Sequence, residues 1–412
     1  MVAPLEGIKV VELARILAGP WTGQLLADLG AEVIKVESEK GDDTRAWGPP
    51  FIERENDTSA AYFHGCNRGK KSVTADLSTA EGQERVIELI QCSDILIENF
   101  KVGGLKKYGL DYESLNAKNK ELIYCSITGF GQDGPYSTRA GYDYIIQGMS
   151  GLMSITGEPG GRPLKTGVAI TDIFTGLYAS SAILAALHQR KETGLGQHID
   201  MSLLDSAVAI LANQGMNYLS TGSAPGRIGN FHPNLSPYQV FECSDGHIII
   251  ATGNDQQYQK LCDILKCPEQ ATDPKYETNA KRVKNRDELD EAFTHKTKKW
   301  NKMKLLKQCE ANGIPAGPIN SLDEVFADQQ IIHRGMELSL EGIPSIRSPI
   351  RFSESELVLN KPSPKLGEHN SVIFSRHRKI VAKILSQLIF SFNLILTGKV
   401  ITSFLNCFGN RT

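Results

Sequence analysis

Short apolar, β-branched runs alternate with helical segments through the first third of this chain. That alternation constrains the fold more than any other feature of its sequence. Ile8 to Leu13 reads as a strand, Trp21 to Leu29 as a helix and Glu32 to Val36 as a second strand. Thr79 to Gln91 reads as a helix, with Ser78 at the N-cap and Glu81 three residues on, a capping-box spacing. Asp94 to Glu98 and Leu122 to Ile127 supply two more strands. Strands joined through helices must return by right-handed crossovers, which builds a mostly parallel sheet. The expectation is therefore an α/β chain whose large domain is a Rossmann-like open parallel sheet.

Beyond it lies a glycine-rich stretch, Thr128 to Gly167, too long to be a plain connection and hence a candidate functional segment. Asp172 to Arg190 then reads as a small-residue, apolar helix with most faces buried, and HIDMSLLDSAVAILANQGMNYL as a short strand and another buried helix. Ser220 to Pro237 has the Gly/Pro/Ser/Asn content of a linker. A smaller α/β unit follows, opening with a strand pair that turns at Asp245-Gly246 and continuing into lysine-rich helices with solvated faces. Ile314 to Asn320 reads as a returning loop, and Pro344 to Pro364 as a proline-rich connection. The domain plan expected is 1–220 for the large domain with a C-terminal return over 345–412, linkers at 221–237 and 331–344, and a small domain at 238–330.

Charge narrows the choice of partners. Lys and Arg number 45 against 47 Asp and Glu among 412 residues, a formal net charge of −2 that argues against bulk-charge binding of nucleic acid. The eight cysteines show no C-x-x-C spacing and read as scattered free thiols of a reducing compartment. The most apolar run, Ile384 to Leu396, is shorter than the roughly 20 residues needed to span a bilayer, so no transmembrane helix is expected.

Familiar signatures are missing. The first β–α turn carries Gly19-Pro20-x-x-Gly23 rather than G-x-G-x-x-G, and the proline removes a backbone donor, which argues against NAD or FAD. There is no Walker A sequence, no H-E-x-x-H, no metal-ligand histidine spacing and no G-x-S-x-G elbow. Asp172 stands out instead. It opens a helix whose next ionisable side chains, Tyr178 aside, are His188 and Arg190. One reading is a helix N-cap. The other is a nucleophile, because a helix N-terminus favours the ionised carboxylate, which can attack an activated acyl carbon. Asn67 to Lys71, Glu98-Asn99-Phe100 to Lys107, and Arg139 come from separate loops. In open α/β sheets, loops beyond the strands' carboxyl ends bind ligands, and these cations with an aromatic would suit a phosphate-bearing nucleotide.

The motifs in their order are PLEGIKVVEL, LAGPWTGQLLADLGAEVIKVE, GDDTR, NRGKKSVTADL, ENF, YGLDYESL, CSITGFGQDGP, AGYDYIIQ, TGVAITDIFTGLYASSAILAAL, TGLGQHIDMSLLD, GIPAGPIN and LGEH. This series, from residue 4 to about 369, resembles the class III CoA-transferases, the carnitine and formyl-CoA transferase family. Within the family it is most similar to the type that uses succinyl-CoA and glutarate. The resemblance implies an interlocked homodimer and no permanently bound cofactor, with a coenzyme A thioester as substrate. It implies a catalytic Asp172 and no metal. It places Ile16 and Leu17 against CoA and the thioester, Asn99 and Phe100 beside the adenosine, and Lys107 near the phosphates. Arg139 lies one residue from a family lysine, and Tyr142 and Asp143 match a tyrosine–acid pair lining the site. Leu17 stands where formyl-CoA transferases carry a glutamine. The glycine-loop lid of those enzymes is replaced by GNFHPNLSP.

The implied activity is transfer of CoA from an acyl-CoA donor to a carboxylic acid acceptor through an aspartyl anhydride and an aspartyl-CoA thioester. The similar α-methylacyl-CoA racemases use a histidine where this chain has Tyr142, and a tyrosine of pKa about 10 accepts a proton poorly at neutral pH. A racemase-like enzyme and a non-catalytic CoA-binding scaffold are the alternatives. Relatives suggest a mitochondrial location; no presequence is read here, and the cytoplasm is the alternative. From Asn370 onward the resemblance stops. The basic, then Ile/Leu/Phe-rich run that follows reads either as a membrane-surface helix or as an altered transcript end.

Overall fold

The computed structural model describes residues 2–374. The expectation of a membrane-surface helix or altered end beyond that point lies outside the described residues, as does Cys407. Two compact units emerge: one comprises, of the described residues, 2–141, 172–203 and 338–374, the other 142–171 and 204–337. Residues 142–171 and 204–220, placed by sequence in the large domain, thus cluster with the second unit.

The first unit is built on β1 (Lys9–Glu12), β2 (Glu32–Glu37), β3 (Phe51–Arg54), β4 (Asp57–Ala60), β5 (Lys71–Thr74), β6 (Ile95–Glu98), β7 (Ile123–Thr128) and β8 (His198–Ser202). Six of them form one sheet in the order β5-β2-β1-β6-β7-β8, every neighbouring pair parallel. Val10, Val11, Ile95, Leu96 and Ile97 are fully buried, as strands covered on both faces must be. β3 and β4 make a separate hairpin. One face of the sheet carries a core of Val11, Leu13, Val73, Val86, Leu89, Ile90, Leu96 and Tyr124, into which Ile373 also packs.

The free edge of β5 is covered by the returning chain. His369 N–H donates to the Ser72 carbonyl at 2.9 Å, Thr74 N–H to Asn370 Oδ1 at 2.8 Å, and Gly367 N–H to Ser72 Oγ at 2.9 Å. An edge strand with unclaimed donors invites pairing with another chain, and side chains of the LGEHN segment occupy those donors here. Arg68, fully buried, anchors the same return: its guanidinium holds Asp28 and donates to Ser345 Oγ and the Ile346 carbonyl.

The second unit is centred on β9 (Tyr238–Cys243), β10 (Gly246–Ala251) and β11 (Ala316–Pro318), antiparallel in the order β11-β10-β9. The Asp245-Gly246 turn falls where expected, with Gly246 at φ +137°. Phe241, Ile248, Ile250, Tyr258, Leu261, Phe293 and Leu305 form its core with the helices Asp255–Leu265, Arg286–Thr297 and Lys302–Ala311.

Local expectations are corrected in several places. The helix Ala80–Gln91 is capped by Thr79, whose Oγ1 accepts Gly82 N–H, while Ser78 turns back to Asp76. The helix expected to open at Asp172 runs from Ile170 to Thr193. It is also half exposed: Gly176, Ala179, Ser180, Ile183 and Ala186 are buried, but Leu177, Tyr178 and Leu184 face out. By length and composition alone this helix is apolar enough to cross a membrane. The second helix expected to be buried is two, Leu203–Ala209 and Ala212–Thr221, broken at Ala212 with φ +45° and exposing Val208, Met216 and Leu219. Apolar periodicity reports which faces shun water, not what covers them.

Candidate active site

Because the six strands are parallel, the segments leaving β1, β6 and β7 emerge along one edge of the sheet. They carry Ile16 and Leu17, Asn99 to Lys107, and Arg139 respectively. This shared edge is where open α/β sheets bind ligands.

The turn after β1 is held in a costly shape. Ile16 has φ +72°, a region that a β-branched residue avoids. From the Ala14 carbonyl to the Ile16 carbonyl, the turn's backbone is held by side chains from other elements. The Ala14 carbonyl accepts Lys35 Nζ at 2.8 Å. Arg15 N–H donates to Asn99 Oδ1 at 2.9 Å, and its carbonyl accepts Asn99 Nδ2 at 2.7 Å. Ile16 N–H lies 3.3 Å from both Asp42 carboxylate oxygens, and the Ile16 carbonyl accepts the buried Cys66 thiol at 3.6 Å. Leu17 then sits at the N-cap of the helix Ala18–Asp28 without a side-chain cap.

That helix meets Ile170–Thr193 closely. A Cβ on Gly176 would come 2.9 Å from the Ala18 carbonyl and 3.1 Å from the Trp21 ring, so only glycine permits the approach. Thr22 Oγ1 reaches the Gly176 carbonyl at 3.3 Å. Asp172 lies one turn before Gly176, on the same side of the helix, since residues four apart share a face. It occupies the first turn, at the positive end of the helix dipole, and is only 8% exposed. The N-cap reading of Asp172 is corrected here: the helix has already begun at Ile170.

Beneath the β1 turn lies a buried ion network. Glu12 is fully buried between Lys35 and Lys70, at 3.1 and 2.8 Å, and Lys35 also meets Asp42 at 2.9 Å. Lys70 Nζ donates to the Pro20 carbonyl and to Asn67 Oδ1. Burial works against both ammonium groups. For Lys35 the carboxylates of Glu12, Asp42 and Glu37 overcome it and hold the pKa above the ordinary value. For Lys70 burial prevails over Glu12, and the like charge of Lys35 adds to it, so its pKa is depressed. Asn67, Arg68 and Lys70, read from sequence as ligand-facing, are therefore structural: they carry the backbone of the turn and the C-terminal return. Lys71 pairs with Glu32.

The other predicted residues divide. The Asn99 carboxamide is engaged at both ends by Arg15. Phe100 is partly buried against the main core. Lys107 is exposed, its ammonium 4.6 Å from the Tyr108 ring. Arg139 is exposed and stacks on Tyr136 and Phe130, at 4.5 and 5.2 Å. Tyr142 and Asp143 belong to the second unit. Tyr142 is exposed, at the N-cap of Asp143–Met149. Asp143 Oδ1 accepts Thr171 N–H at 2.9 Å and Thr171 Oγ1 at 2.6 Å, and its Oδ2 accepts Gln147 Nε2 at 2.8 Å. Asp143 thus holds Thr171, the residue before Asp172. Among the described residues no group of three or more His, Cys, Asp or Glu is placed to hold a metal ion.

Glu98, named by sequence only as the start of the Glu98 to Lys107 segment, has a property the sequence does not show. It ends β6, is buried, and accepts Phe100 N–H at 2.7 Å. Burial pushes its carboxyl from 4.5 up to about 7, helped by the nearby Asp200 and resisted by its hydrogen bonds from Ser126 and Phe100. A carboxyl raised in the native state stabilises the fold most fully below its unfolded pKa, and this contribution is lost as pH rises through about 7. Glu98→Gln should remove that component. The stability difference between variant and wild type, read by urea unfolding, should shift by about 2 kcal/mol in the variant's favour between about pH 5.5 and about pH 8. An unchanged difference would show that Glu98 titrates normally.

Residues 5–370 match the model of CoA-transferase family III. The chain is 57% identical over 380 residues to a succinate–glutarate CoA-transferase of Agrobacterium fabrum, covering 90% of this chain and 95% of that one. It is 45% identical over 372 residues to a succinyl-CoA:glutarate CoA-transferase of Mus musculus, covering 89% and 84%. The crystal structure of a CAIB/BAIF family protein from Brucella suis superposes with a TM-score of 0.84 at 57% identity, covering 92% of this chain and all of the other.

Proposed function

Since the chain belongs to CoA-transferase family III, we propose that it moves CoA from succinyl-CoA to glutarate, with Asp172 as the nucleophile. The observation that carries the role of Asp172 is its setting: a carboxylate in the first turn of a long helix, one turn from the glycine contact with the helix Ala18–Asp28, which follows the strained β1 turn. The substrate pair is supported by the relatives at 57% and 45% identity, whose names carry those acids.

In the first step the Asp172 carboxylate attacks the succinyl thioester carbonyl. The C–S bond breaks, CoA leaves as thiolate, and a mixed anhydride remains. The thiolate then attacks the aspartyl carbonyl, which releases succinate and leaves an aspartyl-CoA thioester. Glutarate attacks that thioester carbonyl, forming a second anhydride and freeing the thiolate again. Attack of the thiolate on the glutaryl carbonyl yields glutaryl-CoA and restores Asp172. One thioester is exchanged for another, so the sequence needs no ATP. Backbone N–H groups of the loops at the sheet edge are suited to hold the oxyanions, each worth about 3–4 kcal/mol.

The exposed apolar row on Ile170–Thr193 and the exposed Val208, Met216 and Leu219 support a homodimer that covers them. Succinyl-CoA offered with a panel of dicarboxylates tests the reading by mass spectrometry. Glutaryl-CoA should form fastest. Equal rates with monocarboxylates would overturn the dicarboxylate assignment, and exchange of an α-proton in deuterium oxide would point to racemase chemistry instead.

A further inference from the structure

The resemblance assigns Asn99 to the adenosine of CoA. The geometry points elsewhere: we propose that Asn99 is a positioning residue, which locks the Arg15–Leu17 turn into its strained shape ahead of substrate and so sets the rate of acyl transfer rather than the affinity for CoA. This rests on the transferase reading above and deepens it.

The carboxamide spans from the end of β6 to the loop after β1. Its oxygen takes Arg15 N–H at 2.9 Å and its nitrogen gives to the Arg15 carbonyl at 2.7 Å. A primary amide is the smallest side-chain group that can accept and donate along one edge, so it satisfies both backbone groups of one residue as a neighbouring strand would. The next residue, Ile16, sits at φ +72°. Left to itself, a β-branched residue would relax toward negative φ, swinging the Ile16–Leu17 peptide and the start of the helix Ala18–Asp28. The strain persists only because the surroundings over-determine it. Asp42 and Cys66 hold Ile16 from one side, and Asn99 holds Arg15 from the other.

Asn99 is itself held. The backbone after Glu98 is turned by the bond from Phe100 N–H to the Glu98 carboxylate at 2.7 Å, and Phe100 packs on the main core. The carboxamide is thus fixed at its base before it reaches Arg15. The two bonds to Arg15 use one of the oxygen's two acceptor sites and one of the nitrogen's two hydrogens, so Arg15 fixes the carboxamide's orientation whatever else it meets. Positioning and ligand contact are distinguishable by experiment.

Asn99→Ala removes both bonds. Asn99→Asp keeps the acceptor for Arg15 N–H but sets a second oxygen against the Arg15 carbonyl, so it should also fail to hold the turn. Asn99→Ala should lower kcat about tenfold to a hundredfold, the range set by the strain no longer held. The Kd for free CoA, by calorimetry, should stay within about threefold of wild type. Hydrogen exchange in the ligand-free protein should speed up in the peptide covering residues 14–19 and remain unchanged in β10. Asn99→Asp should give the same pattern with a slower exchange increase. The opposite split would overturn the proposal: weaker CoA binding with kcat and the exchange of 14–19 unchanged. Wild-type kinetics in Asn99→Ala would overturn it too. If the wild-type protein transfers no CoA at all, the transferase reading fails, whereas the exchange of residues 14–19 still reports on the clamp alone. If Asn99→Ala does not fold, Asn99→Asp carries the same comparison.

Discussion

Asp172→Ala should abolish CoA transfer while leaving CoA bound. On the proposed mechanism this substitution removes both anhydrides and the aspartyl-CoA thioester, and variants lacking a nucleophile typically fall by about 10⁴-fold or more in kcat. Binding should change little, because on the proposed mechanism the carboxylate acts at the acyl carbon and not on the nucleotide of CoA. The helix should survive: it runs 24 residues, and its first turn is also held by Asp143 through the Thr171 N–H and hydroxyl. Three measurements bear on the claim. Turnover of succinyl-CoA with glutarate should vanish. The calorimetric Kd for CoA should stay within a few-fold of wild type. Wild-type protein mixed with succinyl-CoA should carry a hydroxylamine-sensitive adduct on the peptide containing Asp172, absent from the variant. Normal turnover in Asp172→Ala would end the assignment.

Glu12→Ala should cost about 3–5 kcal/mol of stability, because it strips a buried anion from between two buried ammonium groups. Lys35 would retain Asp42 at 2.9 Å, but Lys70 would be left with only the Pro20 carbonyl and Asn67. Lys70→Met should cost less, since Glu12 keeps Lys35 and one buried charge disappears with its partner's excess. The order Glu12→Ala worse than Lys70→Met is the test, read from denaturant midpoints at constant slope. The reverse order would mean that Lys70 makes the dominant contribution. Because the same network holds the Ala14 and Pro20 carbonyls, Glu12→Ala should also loosen the β1 turn.

Much of the fold was legible in the residues. β1, β2, β6 and β7 appear within two residues of their expected bounds, because buried parallel strands read as short, predominantly apolar, β-branched runs, although β2 also buries Lys35. β5 was missed: KSVT is too short and too polar at its start to stand out, and it becomes a strand by pairing with β2 along Ile34 to Glu37. The β3–β4 hairpin was missed for the same reason. Among site candidates, Asp172 was conspicuous as a lone charge in an apolar helix. Asn67, Arg68 and Lys70 were misread because a cation for a phosphate and a cation for a buried carboxylate look the same in sequence. The proton affinity of Glu98 was not legible, since it arises from burial and from Asp200 across the sheet.

The order of residues by itself determined the alternating strands and helices, the parallel sheet with its crowded carboxyl edge, and the family to which the chain belongs. These follow from local preference and apolar spacing, which act over a few residues at a time. Contacts between distant segments are what set Ile16 at positive φ, bring Asn99 and Asp42 to its turn, and bury Glu12 between two lysines. Those outcomes depend on atoms that meet across 23 to 84 positions of chain, where the competition between burial and pairing is settled by packing and not by neighbours in sequence.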